Sequence, residues 1–309
     1  MKARGLLVLA GLALAACDMP EPPASVKTPR ARPDVRSETQ LRPTSEQSAA
    51  LRAYLGQVQS AQLSQGLLRQ DGGGADTPFT AAMLARNFQR IVFFDEYAGA
   101  FETRGGESPL RRWSSPVRVT TIFGNSVPPS QRDADGTAIR SYARRLGQIT
   151  GHPIMSFGQP NFVVIVASED DRDAALDAAA ARVPGITPES LGALRSLSRN
   201  TYCAVAAYAA GSDASTYTAA VAVIRAENPQ LLRLSCIHEE MAQALGLAND
   251  SRDARPSIFN DDDEFALLTR HDELLLKMLY DPRLKPGMSA QEAAPLITTI
   301  AQELIGGPS

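Results

Sequence analysis

Three residues combine the types and the spacing that chemistry requires: Glu239, Glu240 and Gln243, inside a run of helical apolar spacing over 229–247. At about 100° per residue, Glu240 lies near 100° and Gln243 near 40° from Glu239, so all three share one arc. Leu234, Ile237, Met241 and Leu245 fall on the opposite side. Adjacent carboxylates push one another's pKa upward, and a carboxylate raised in a cleft can act as general base on a water. The same spacing also fits a plain amphipathic helix, with its apolar face in the core and its carboxylates in water.

The histidines offer less. His238 precedes Glu239, but the second histidine of an H-E-x-x-H zinc motif would fall at position 242, which is Ala242. His238 therefore reads as a helix-flank or core residue. His271 sits where Thr269 and Asp272 form a capping box, and His152 precedes Pro153 in a loop. The run Asp261-Asp262-Asp263-Glu264 lacks the alternate spacing and glycine of a calcium loop and reads as a solvated turn. No nucleophile-elbow pattern is present.

The elements that must position these residues follow from periodicity. Helical spacing covers 45–69, ending at Gly72-Gly73-Gly74, and a helix opened by Thr77-Pro78 should run to about 97. Strands are expected at 113–123, 161–167, 201–209 and 217–224, with helices at 130–149 and 168–182 and a short one at 189–197. This alternation predicts a mixed α/β (α+β) domain: a sheet backed by helices, then the helix of Glu239, then a C-terminal helical part.

The chain begins with Lys2 and Arg4, an apolar stretch over 5–14 too short to span a bilayer, and Leu14-Ala15-Ala16-Cys17. Leu-Ala-Ala-Cys matches the bacterial lipobox. It predicts a signal peptide over 1–16 and a lipoprotein acylated at Cys17, with palmitate-type chains that anchor it to a lipid membrane. Asp18 resembles an inner-membrane retention signal; either the cell membrane or the outer membrane fits, with the protein facing the periplasm. Residues 17–44 carry six prolines among mixed charges, which predicts a disordered tether. One globular domain over 45–309 remains, with N-terminal helices at 45–100, sheet and core helix at 110–250 and the helical part at 251–309. Net charge is −3 without a basic cluster, which argues against a nucleic-acid partner. In an exported, oxidising compartment Cys203 and Cys236 favour a disulfide over two buried thiols.

Glu239-Glu240-x-x-Gln243-x-Leu245-Gly246-Leu247-x-Asn249 resembles the metal-binding helix of the zincin peptidases, whose metzincin pattern is H-E-x-x-H-x-x-G-x-x-H. Pro256-Ser257-Ile258-Phe259 resembles the turn under the metal, and Leu268-Thr269-Arg270-His271-Asp272 with 275–280 resembles the closing helix. The resemblance puts Glu239, Gln243 and Asn249 at the three histidine positions and Glu240 at the general base. These are oxygen donors, with Asp250 as a further one. Such a set disfavours zinc and suits a harder divalent cation, if any. The body also resembles a family of bacterial exported lipoproteins known as a domain of unknown function, through the same helix end, Ser257-Ile258-Phe259-Asn260-Asp261 and Leu279-Tyr280-Asp281-Pro282. Together these imply a degenerate zincin-like domain, a binding or scaffold protein of the cell envelope whose partner is an envelope protein or peptide. The runner-up is a hydrolase of peptide or cell-wall material using Glu240.

Overall fold

The structure, a computed structural model, describes residues 43–306 apart from 96, 99, 105, 210–213 and 261. The signal peptide, Cys17, nearly all of the tether and the turn at 211–213 lie outside the described residues. The chain runs α1 (Glu46–Ser64), α2 (Ala81–Val92), β1 (Tyr97–Ala98), β2 (Ala100–Arg104), β3 (Arg112–Trp113), β4 (Val117–Phe123), α3 (Pro129–Thr150), β5 (Ile154–Met155) and β6 (Phe162–Ala167). It continues through α4 (Arg172–Ala180), a 3-10 turn (Glu189–Leu191), α5 (Gly192–Arg195), β7 (Cys203–Ala209), β8 (Thr216–Arg225), α6 (Gln230–Gln243), α7 (Arg270–Leu279) and α8 (Ala290–Gly306).

This is the expected mixed α/β architecture. Six strands form one sheet in the order β3-β8-β6-β4-β5, with β7 also on β8. Every pairing in it is parallel except β7 with β8. The central strand β6, Phe-Val-Val-Ile-Val-Ala, is buried along its whole length, as a strand covered by helices on both faces must be. Its Phe162, Val164 and Val166 join the larger core with α2, α3, α6, α7 and α8. Val163, Ile165 and Ala167 face α4 and α5. The result is three layers with the sheet in the middle.

Several boundaries differ from the sequence expectation. Helix α2 is capped by Thr80, whose side chain accepts from Met83 N; Thr77 instead accepts from Gly74 N in the preceding turn. α1 ends at Ser64, before the triple glycine, because Leu68 and Arg69 donate backbone hydrogen bonds to Asp263 and Glu264. The two-residue β5 escaped periodicity because it is too short to show any. Among the described residues no helix is long and apolar enough to cross a membrane.

Candidate functional site

Helix α6 is held from several directions. Arg233 and Asp135 form a buried ion pair to α3, with Nε 2.7 Å from Oδ2. At its C-terminal end the Trp113 indole donates to Ala244 O (2.8 Å) and the Tyr280 hydroxyl to Leu245 O (3.1 Å). The chain then turns at Gly246, with φ of +122°. A Cβ there would lie 2.3 Å from the Arg111 carbonyl oxygen. Glycine is required both by the backbone conformation and by the backbone it passes.

Opposite α6 runs β7. Among the described residues it pairs with β8 alone, and its residues from Cys203 to Tyr208 line a space shared with the helix. Alternation on a strand sends Cys203, Val205 and Ala207 toward that larger core and Ala204, Ala206 and Tyr208 toward the other. Small side chains on β7 leave a groove of about 590 Å³ between strand and helix, lined on the helix side by Glu239, Glu240 and Gln243. Glu240 and Gln243 are 4% and 8% exposed, and Glu239 is half-buried. The carboxylates therefore do not project into open water, as a plain amphipathic helix would have them.

Asn249 does not join them. Its Nδ2 donates to Arg90 O (2.9 Å), and Ala248 takes the place on the groove wall. The groove gains residues that no motif announced: Asp95 and Arg111, which form an ion pair, and Asp263, which accepts from Gln62 Nε2 at 2.7 Å. Asp95, Glu239, Glu240 and Asp263 against Arg111 give the lining an acidic excess.

The disulfide forms between Cys203 and Cys236, with Cα atoms 5.8 Å apart. Cys203 also lines the groove, and its Sγ, one carboxylate oxygen of Glu239 and one of Glu240 lie within 4.8 Å of one another. With both sulfurs bonded to each other, neither is a thiolate ligand. The donors aligned with zincin histidines, two of which reach the groove and none of which is nitrogen or thiolate, do not fit zinc. No metal-dependent step follows from them.

None of the histidines enters the groove lining. His238 is buried, stacked on Tyr142 at 4.0 Å, and its Nδ1 accepts from Leu268 N (3.0 Å). Burial, and then Arg145, pull its pKa down to about 3, so it stays neutral. His271 accepts from Asn87 Nδ2 through Nε2 (3.1 Å) beside the capping box of Thr269 and Asp272. His152 makes a 2.9 Å contact from Nε2 to Ser115 O. The turn at Pro256 to Phe259 is packed in the same core as α6, with Ser257 Oγ and Ile258 N donating to Asp272.

Residues 81–299 match the family described as "Protein of unknown function (DUF2927)". The chain belongs to that family. No curated protein and no solved structure matches it. The DUF2927 match begins at α2 and ends inside α8, so both walls of the groove, β7 and α6, lie within the family's domain, whereas α1 precedes it.

Proposed function

We propose that this DUF2927 protein is a lipid-anchored binding protein of the cell envelope, built on a degenerate zincin-like scaffold, that holds an extended peptide segment between β7 and α6 without cleaving it. The observation that carries the reading is the groove itself: a strand edge facing a helix whose buried polar residues form the opposite wall. A strand edge offers backbone groups to an added strand, and side-chain pockets give specificity. The acidic excess favours a segment with lysine or arginine side chains.

Support for the scaffold comes from the order of its parts. A sheet and backing helix precede α6, a glycine turn ends it, and the Pro256 turn and α7 follow. The missing imidazoles argue for binding over hydrolysis. Anchoring rests on the lipobox at Cys17, which predicts acylation there and attachment to the cell membrane or the outer membrane on the periplasmic side.

The hydrolase reading draws on one observation, the burial of Glu240 on the wall of a cleft, where a carboxylate can serve as a base. A single experiment separates the two. Unstructured peptides rich in lysine and arginine, or in aspartate and glutamate, are incubated with the protein, with binding followed by fluorescence anisotropy and products by mass spectrometry. Saturable binding of intact basic peptides is expected. Cleavage abolished by Glu240→Gln would establish the hydrolase instead, and no binding of either set would end the groove reading.

A further inference from the structure

The Cys203–Cys236 bridge joins the two groove walls at one end: Cys203 opens β7 and Cys236 sits on α6. On α6, Cys236, Glu239 and Glu240 follow at i, i+3 and i+4, a spacing that gathers side chains on one helix face. Cys203 reaches the same place from the strand, with its sulfur and both carboxylates inside a 4.8 Å cluster. One sulfur and two carboxylates thus converge from opposite walls, and the Cys236 sulfur is bonded directly to that of Cys203. Asn228 Nδ2 also donates to Cys236 Sγ at 3.6 Å, a contact that would favour the thiolate form of that sulfur.

We propose that reduction of this disulfide uncovers a divalent metal site formed by Cys203, Cys236, Glu239 and Glu240, so that disulfide and metal ion are alternative cross-links between β7 and α6. A dithiol reductant supplies two electrons and two protons to the S–S bond and is itself oxidised to a cyclic disulfide, leaving two thiols. On coordinating the ion the two thiols release their protons to solvent and bind as thiolates. Two thiolates with two carboxylates suit zinc or cadmium, whereas oxygen donors alone suit calcium or magnesium.

The geometry is close to what such an ion requires. Zinc–sulfur bonds of about 2.3 Å and zinc–oxygen bonds of about 2.1 Å in a tetrahedron put ligand atoms roughly 3.5–3.8 Å apart. The Cys203 sulfur and the two carboxylates, within 4.8 Å of one another, must contract by about 1 Å, and the Cys236 sulfur, which lies outside that group, must move in beside them. The two sulfurs must draw apart from bonding distance, a motion that rotation about the Cα–Cβ bonds can supply. Access runs through the groove, which Cys203, Glu239 and Glu240 all line. The set differs from the one that the zincin alignment implies, since it leaves out Gln243 and Asn249 and includes both cysteines. It stands independently of whether the groove holds a peptide.

The test uses the full chain with Cys17→Ser, so that Cys203 and Cys236 are the remaining cysteines. Oxidised protein, and protein reduced with a dithiol that is then removed under anaerobic conditions, are titrated with cadmium or zinc against a chromophoric chelator. The reduced protein should take up one equivalent, at least about 100-fold more tightly than the oxidised protein, with a thiolate-to-cadmium charge-transfer band. The double variant Glu239→Gln, Glu240→Gln should lose roughly 10-fold or more of that affinity. Equal uptake by oxidised and reduced protein would overturn the proposal, as would undiminished uptake by the reduced double variant. Should circular dichroism show that reduction unfolds the chain, the ion must restore the fold in the parent and not in the double variant; failure to restore it also overturns the proposal.

Discussion

Asp272 and Glu240 are both buried carboxylates, 0% and 4% exposed, set in opposite kinds of surroundings. Asp272 accepts hydrogen bonds from Ser257 Oγ (2.5 Å), Thr269 Oγ1 (2.8 Å), Thr269 N (3.0 Å) and Ile258 N (3.1 Å), with core on every side. Glu240 stands on the wall of a groove of about 590 Å³, between Glu239 and Gln243. A carboxylate enclosed by protein organises the donors around it, and its loss strands them. A carboxylate beside a cavity leaves room for something outside the chain. One of these regions holds the molecule together, and the other borders the groove where we propose that a ligand sits.

The largest effect should come from the closed region. Asp272→Ala removes four hydrogen bonds at once and leaves their donors buried, at a cost on the order of 4 kcal/mol. Chemical denaturation should show that loss, and a melting temperature lower by roughly 10 °C. A cost below about 1 kcal/mol would mean that the turn at Pro256 and the start of α7 are fixed by something else. Next comes Gly246→Ala, where α6 leaves the groove. The positive φ alone is worth about 1–3 kcal/mol, and the added methyl meets the Arg111 carbonyl as well. A destabilisation of about 3 kcal/mol is expected, and a melting curve like that of the parent would show that this backbone can yield.

His238 lies between the two regions, on α6 but bonded to the segment that leads into α7. Folded, its pKa is about 3; unfolded, it returns to about 6.5. Between those values the unfolded chain binds the extra proton, so stability is fully present above pH 6.5 and falls as pH drops toward 3. The change from pH 7 to pH 5 should cost about 2 kcal/mol from this residue. Urea titrations at both pH values check it, and His238→Gln should flatten the slope. An unchanged slope would mean that some other group carries the acid sensitivity.

How much of this was readable beforehand follows the same division. The helical wall was legible, since a period of 3.6 places Glu239, Glu240 and Gln243 together whatever the fold. The disulfide was legible from the expectation of export and the cysteine count, and the capping box from Thr269 and Asp272. The opposite wall was legible as a strand over 201–209 but not as part of a site, because the alanine-rich β7 carries no side chain that announces chemistry. Its role comes from lying at the sheet edge opposite α6, which only the pairing order reveals. Asn249 was placed by alignment beyond the helix end. Past Gly246 the angular rule no longer applies, and the side chain goes to Arg90 instead. Asp95 and Arg111 belong to the groove through a long-range approach that no local spacing encodes.

The smallest effect on stability should come from Glu240→Gln, and its smallness is what gives it force. The substitution keeps the shape of a buried side chain on the groove wall, so stability should change by less than about 2 kcal/mol, half the loss expected for Asp272→Ala. Binding should change more. One carboxylate fewer in a groove that Asp95, Glu239, Glu240 and Asp263 make acidic against Arg111 should weaken a lysine- or arginine-rich peptide about 10-fold, and less so at high salt. Anisotropy titrations at two ionic strengths measure it. If Glu240→Gln instead destabilises the fold as severely as Asp272→Ala, the two carboxylates belong to one class. The groove would then be a by-product of a structural acid, and its helical wall would have no ligand to explain it.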